Sequence, residues 1–64
     1  MTKKEIKAMT NAELIMQLCR MMYGSQTYKW QVKAASMIYE ELQNRNVIEN
    51  SQEAFEEWFR LYRA

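Results

Sequence analysis

The chain has 64 residues, with no histidine, no aspartate and no proline, and with one cysteine and one glycine. One cysteine excludes an internal disulfide, and a single cysteine without histidine excludes a zinc site built from the usual ligands. One glycine excludes a glycine-rich phosphate-binding loop. These absences remove the commonest metal and nucleotide sites, and we expect no cofactor.

The residues that remain do not suggest catalysis. All eight acidic residues are glutamates, and the neighbouring pairs Glu40–Glu41 and Glu56–Glu57 diverge by about 100° on a helix instead of converging on a substrate. Cys19 has no histidine to activate it and lies among apolar residues, so we expect a small buried side chain. The sequence therefore predicts a protein that is not an enzyme.

The length and the charge are those of one small domain, residues 1–64. The formal net charge is +1, which favours neither nucleic acid nor an anionic membrane. No apolar run approaches the ~18 residues of a membrane span. Polar residues follow Lys3, Lys4 and Lys7 where a signal peptide would be apolar, so we expect a cytoplasmic protein. Because so short a chain buries only ~60% of its unfolded surface, we expect association with another chain.

Helix signals predict an all-α fold, a compact antiparallel three-helix bundle with helices over about residues 11–23, 26–45 and 51–63. Thr10 to Glu13 and Asn50 to Glu53 are capping-box sequences, and Gly24 and Asn46 are the predicted stops. Residues 1–9 form either a frayed arm or a short extra helix, which Thr2 to Glu5 would begin.

The middle helix is apolar on two opposite sides. Tyr28, Val32 and Ile38 belong to the core side, while Trp30, Ala34 and Met37 fall on the far side, flanked by Lys29 and Lys33. The apolar residues on the far side indicate a contact with a partner or with a second copy, because exposed apolar patches of a few hundred Å² usually mark interfaces. Two alternatives stay open: Trp30 covers one flank of the core, or the N-terminal segment with Ile6 and Met9 folds over the stripe.

Six methionines are many for this length. Met9, Met16, Met21, Met22 and Met37 are candidates for an adaptable binding surface, since methionine repacks easily. Their use as core filler is the favoured interpretation.

The alternative function is a small helix-turn-helix-like DNA-binding protein. Ser25, Gln26, Thr27, Lys29 and Lys33 suit the start of a recognition helix, with hydroxyl, amide and ammonium groups near bases and phosphates. The pattern disfavours it, because Arg20 occupies the position where such a motif has a small residue, and Trp30 and Lys33 occupy positions that are normally aliphatic.

Two strings, Met9 to Leu14 and Glu40 to Arg45, resemble the helix caps and helix ends of small accessory proteins of phages and mobile elements. That resemblance implies binding and modulation of another protein. We therefore expect a protein–protein interaction module, acting as a homodimer or on a larger protein with an acidic or apolar groove. Nucleic acid is a less favoured partner, and we expect no membrane contact.

Overall fold

A computed structural model describes residues 2–22 and 29–63, and for residues 29, 30, 62 and 63 it describes the backbone alone. The helices are α1 (Lys3–Ala8), α2 (Asn11–Met22), α3 (Lys29–Asn44) and α4 (Gln52–Arg63). No strand occurs within the described ranges, so the all-α class is confirmed. The Cα radius of gyration is 11.1 Å, close to the ~11 Å of a compact domain of this length.

The N-terminal segment forms a short helix, which is the alternative of a short extra helix, so the described part of the chain has four helices and the three-helix bundle itself is not confirmed. Thr2 Oγ1 accepts from the Glu5 amide at 3.2 Å, and Glu5 Oε1 accepts from the Thr2 amide at 3.0 Å. A six-residue helix is unstable in isolation. The burial of Ile6, which is 2% exposed, adds packing that stabilises α1 beyond what its cap provides.

Helix α3 is the centre of the fold and contacts each of the other three helices. The core draws one residue from α1, two from α2 and three from α3: Ile6, Leu14, Leu18, Ala35, Ile38 and Leu42. Helix α4 adds Trp58, which is half-buried and packs against this cluster.

Local capping sets most of the described helix ends. The Thr10–Glu13 capping box is confirmed, with distances of 3.2 and 3.0 Å. Asn46 has φ of 58°, and the amides of Asn46 and Val47 donate to the carbonyls of Gln43 and Leu42 at 2.9 and 3.0 Å. This is the Schellman stop that the sequence predicts.

Helix α4 begins one residue later than the predicted box. Ser51 Oγ accepts from the Ala54 amide at 3.1 Å, so Ser51 is the cap and Asn50 is not. The methyl group of Ala54 cannot accept a hydrogen bond from the Ser51 amide in return. The reciprocal half of the predicted capping box is therefore wrong here. The predicted stop at Gly24 lies outside the described residues.

Arg45 joins three parts of the chain just after α3 ends. Its Nε donates to Glu41 Oε2 at 2.8 Å, an ion pair between residues one helical turn apart. Its Nη1 donates to the Met9 carbonyl at 2.8 Å and to Asn11 Oδ1 at 2.9 Å. Its Nη2 donates to the carbonyls of Ile6 and Lys7 at 3.3 and 3.0 Å. All five guanidinium donors are thus used, which fixes the junction of α1 and α2 against α3.

Gln43 organises the connection between α3 and α4. Its side chain is 6% exposed, and its Nε2 donates to the carbonyls of Glu49 and Ser51, each at 3.0 Å. Both amide hydrogens are therefore satisfied by the loop backbone.

Candidate protein-contact surface

Two of the three apolar residues in the predicted α3 stripe lie inward. Ala34 is 7% exposed, and Met37 is half-buried and packs against the core cluster. Ile6 and Met37 line a shallow cavity of about 150 Å³ between α1 and α3. Helix α1 therefore lies against the stripe at Met37, as in the alternative in which the N-terminal segment folds over it. The side chains of Lys29 and Trp30 lie outside the described residues, so a contact role for them stays a prediction.

The predicted DNA-contact residues are mostly not described. Ser25, Gln26 and Thr27 lie in the undescribed segment, and of Lys29 only the backbone is described. Lys33 is exposed on α3. The DNA-binding surface therefore stays a prediction.

A different apolar surface is exposed on α2. Ile15, Met16 and Met22 are 43%, 55% and 43% exposed, and Ala12 and Cys19 are also exposed. We call these five residues the outer face of α2. On the other side of the same helix Leu14 and Leu18 are buried in the core.

The exposure of Cys19 corrects the prediction that its side chain is buried. The periodicity of the sequence shows which residues of α2 are apolar, but it does not show how much of that apolar arc a neighbouring helix covers. Helix α2 packs mainly against α3, and one neighbour covers only part of an arc that spans nearly half the helix. The outer face could have been predicted by comparing the width of the apolar arc of α2 with the smaller part of it that one neighbouring helix can cover.

The spacing on the outer face is that of a helix-pairing seam. Ala12, Ile15, Cys19 and Met22 follow one another at intervals of 3, 4 and 3 residues, which keeps them in one row along the helix. Small and large side chains alternate along the row. Met16 lies beside it and is the most exposed of the three large side chains of the face.

Two opposite charges border the same side of this row. Glu13 and Arg20 are seven residues apart, so they lie two turns apart on one flank. Hydrogen bonds from the Thr10 backbone amide, and then from its hydroxyl, lower the pKa of Glu13. The carboxylate therefore stays ionised at neutral pH and gives the flank a fixed negative charge near the start of α2.

The apolar side of α4 is used mainly within the fold. The rings of Tyr39 and Trp58 stack with centroids 4.3 Å apart, and Phe55 meets Tyr39 edge-on at 5.8 Å. Burial, with smaller contributions from Glu49 and Glu57, raises the pKa of Tyr39. Leu61 is the exception on this side, since it is 66% exposed.

Within residues 2–22 and 29–63, no three acidic or cysteine side chains lie close enough to hold a metal ion. None of the described helices is both long and apolar enough to cross a bilayer.

Comparison with known proteins adds no relative. No protein-family model matches the sequence, and comparisons with curated proteins and with solved structures find no match.

Proposed function

We propose that this chain is a small contact protein that binds another protein through the outer face of α2. The carrying observation is the row of exposed apolar side chains at helix-pairing spacing on a helix whose opposite side is already in the core. Partly exposed side chains of this size together present on the order of 300 Å² of apolar surface, the range in which such patches mark interaction sites.

The composition of the face supports binding in preference to catalysis. Two of its five residues are methionines, whose unbranched side chains adapt to a partner. Glu13 and Arg20 on one flank supply the polar rim that interfaces usually have. The face thus combines an apolar centre with charges that orient a partner.

The proposal is tested in cells with a photo-crosslinking amino acid at Met16. We expect a discrete protein adduct, because Met16 is the most exposed of the three large side chains of the face. The same amino acid at Lys4, exposed on α1, is the matched control and should give no such adduct.

Two second-site variants assign the adduct to the face. Ile15→Glu should abolish the Met16 adduct, because a carboxylate in the row must be desolvated on binding. Leu61→Glu changes an exposed apolar residue on α4 and should leave the adduct intact. An adduct that survives Ile15→Glu, or no adduct at all, would refute binding through this face.

A further inference from the structure

We infer that the partner of the outer face of α2 is a second copy of this chain, packed antiparallel across a two-fold axis. This inference rests on the proposed function and names the occupant of the same surface. Every residue that it uses lies within α2, whose side chains are fully described.

The order of side-chain sizes along the row is complementary to itself when reversed. In an antiparallel pair centred between Ile15 and Cys19, Ala12 faces Met22 of the second copy and Ile15 faces Cys19 of the second copy. The symmetry repeats both contacts in the opposite sense. Each layer of the interface then joins one small and one large side chain, which is the condition for even packing.

A parallel pair lacks this complementarity. Its symmetry places each residue opposite the same residue of the other copy, so alanine would face alanine and methionine would face methionine. The layers would alternate between a gap at the small residues and crowding at the large ones, and both defects cost stability. The sequence of sizes therefore favours the antiparallel arrangement.

The flanking charges agree with the same axis. In an antiparallel pair one flank of the helix meets the same flank of its partner. Glu13 then lies level with Arg20 of the second copy on the same side of the pair, beyond Met16 and outside the seam, so the two-fold axis makes two attractions at a distance and no direct ion pair. A parallel pair does not bring these two charges together across the seam.

The available area predicts a weak dimer. The α2 seam and its flanks would bury about 1,000 Å² in total, at the lower limit for a specific interface. For an interface at this lower limit we expect a dissociation constant on the order of 10–100 µM. We therefore expect monomer and dimer to exchange at ordinary laboratory concentrations.

Exchanging the two sizes in one layer tests the arrangement. Ile15→Ala leaves two small residues facing each other, and Cys19→Ile leaves two large ones. Each change acts twice in the dimer, so each should raise the dissociation constant about tenfold or more. The double variant restores a small–large contact only in the antiparallel pair, and its constant should return to within about threefold of the original.

Sedimentation equilibrium over about 1 µM to 1 mM, under reducing conditions, measures the constant for each variant. Far-UV circular dichroism checks that each variant keeps its helix content. Leu61→Glu is the matched control and should leave the constant unchanged. Recovery in the double variant supports the inference, whereas a double variant weaker than both single variants overturns it.

The inference and the proposed function can fail separately. A chain that stays monomeric to about 1 mM, but forms a Met16 adduct with a different protein that is lost in Ile15→Glu, overturns only the antiparallel dimer. A monomeric chain without any adduct overturns both. A dimer that is broken by Leu61→Glu and not by the α2 variants overturns the antiparallel dimer, and the proposed function then stands only if the Met16 adduct is lost in Ile15→Glu.

Discussion

Replacing Arg45 should destabilise the fold more than replacing any other charged residue. Arg45→Met keeps most of the apolar stem and removes all five guanidinium donors. The side chain is 22% exposed, so its partners lose bonds that water can only partly replace. The change separates the polar contribution of Arg45 from its packing contribution.

The magnitude follows from the partners. The ion pair with Glu41 is partly solvated and contributes about 0.5 kcal/mol. Four bonds to backbone and amide oxygens contribute about 0.5–1 kcal/mol each once partial solvent access is included. We therefore expect Arg45→Met to lower the free energy of unfolding by about 2.5–4.5 kcal/mol, from a total of roughly 3–10 kcal/mol for a chain of this length.

Urea unfolding followed by circular dichroism measures this loss directly. Arg60→Met, on an exposed position of α4, is the control and should change the free energy of unfolding by less than about 0.5 kcal/mol. Arg45→Lys keeps the charge but has a single donor nitrogen. Its free energy of unfolding should therefore lie between those of the Arg45→Met and Arg60→Met proteins. An Arg45→Met protein as stable as the Arg60→Met protein would refute the role given to the guanidinium.

Three further predictions concern helix ends and the core. Asn46→Gly should raise the free energy of unfolding by a few tenths of a kcal/mol, and Asn46→Ala should lower it by about 1 kcal/mol, because residue 46 has positive φ; urea midpoints measure both changes. Hydrogen bonds from the capping threonines lower the pKa values of Glu5 and Glu13 in the folded chain. Their stabilisation is therefore present above the ordinary glutamate pKa and is lost as the pH falls through the folded values. The thermal midpoint should decline on acidification below about pH 5, and the decline should be smaller in the Glu5→Gln, Glu13→Gln double variant; an equal decline would contradict the assignment. Ile6→Ala should cost about 2–4 kcal/mol in urea unfolding because Ile6 is the buried residue that anchors α1, and a loss below about 1 kcal/mol would show that α1 is not docked through it.

Local signals predicted the helix ends more reliably than the number of helices. The Thr10 cap and the Asn46 stop depend on a few neighbouring residues, and both are confirmed. The Thr2 cap is equally local, but a helix of six residues forms only if Ile6 finds a core to enter. That condition depends on α3 and is not visible in the first ten residues.

The candidate site was harder to predict, because exposure depends on neighbours. The sequence indicated surplus apolar surface on α3, where Ala34 is buried and Met37 packs against the core cluster beside Ile6 of α1. Helix α2 has an apolar arc of similar width with less cover from its neighbours. Cys19, which was expected in the core, therefore lies in the middle of an exposed row.

The two bonds of Gln43 have a consequence for how this chain can vary. Surface connections usually accept added or deleted residues with little penalty. Here one enclosed amide spans from α3 to the carbonyls of Glu49 and Ser51, so the intervening segment must keep its length for both bonds to form. Insertions between residues 46 and 50 should therefore be tolerated poorly, and related chains should conserve this spacing more strictly than the loop's own side chains.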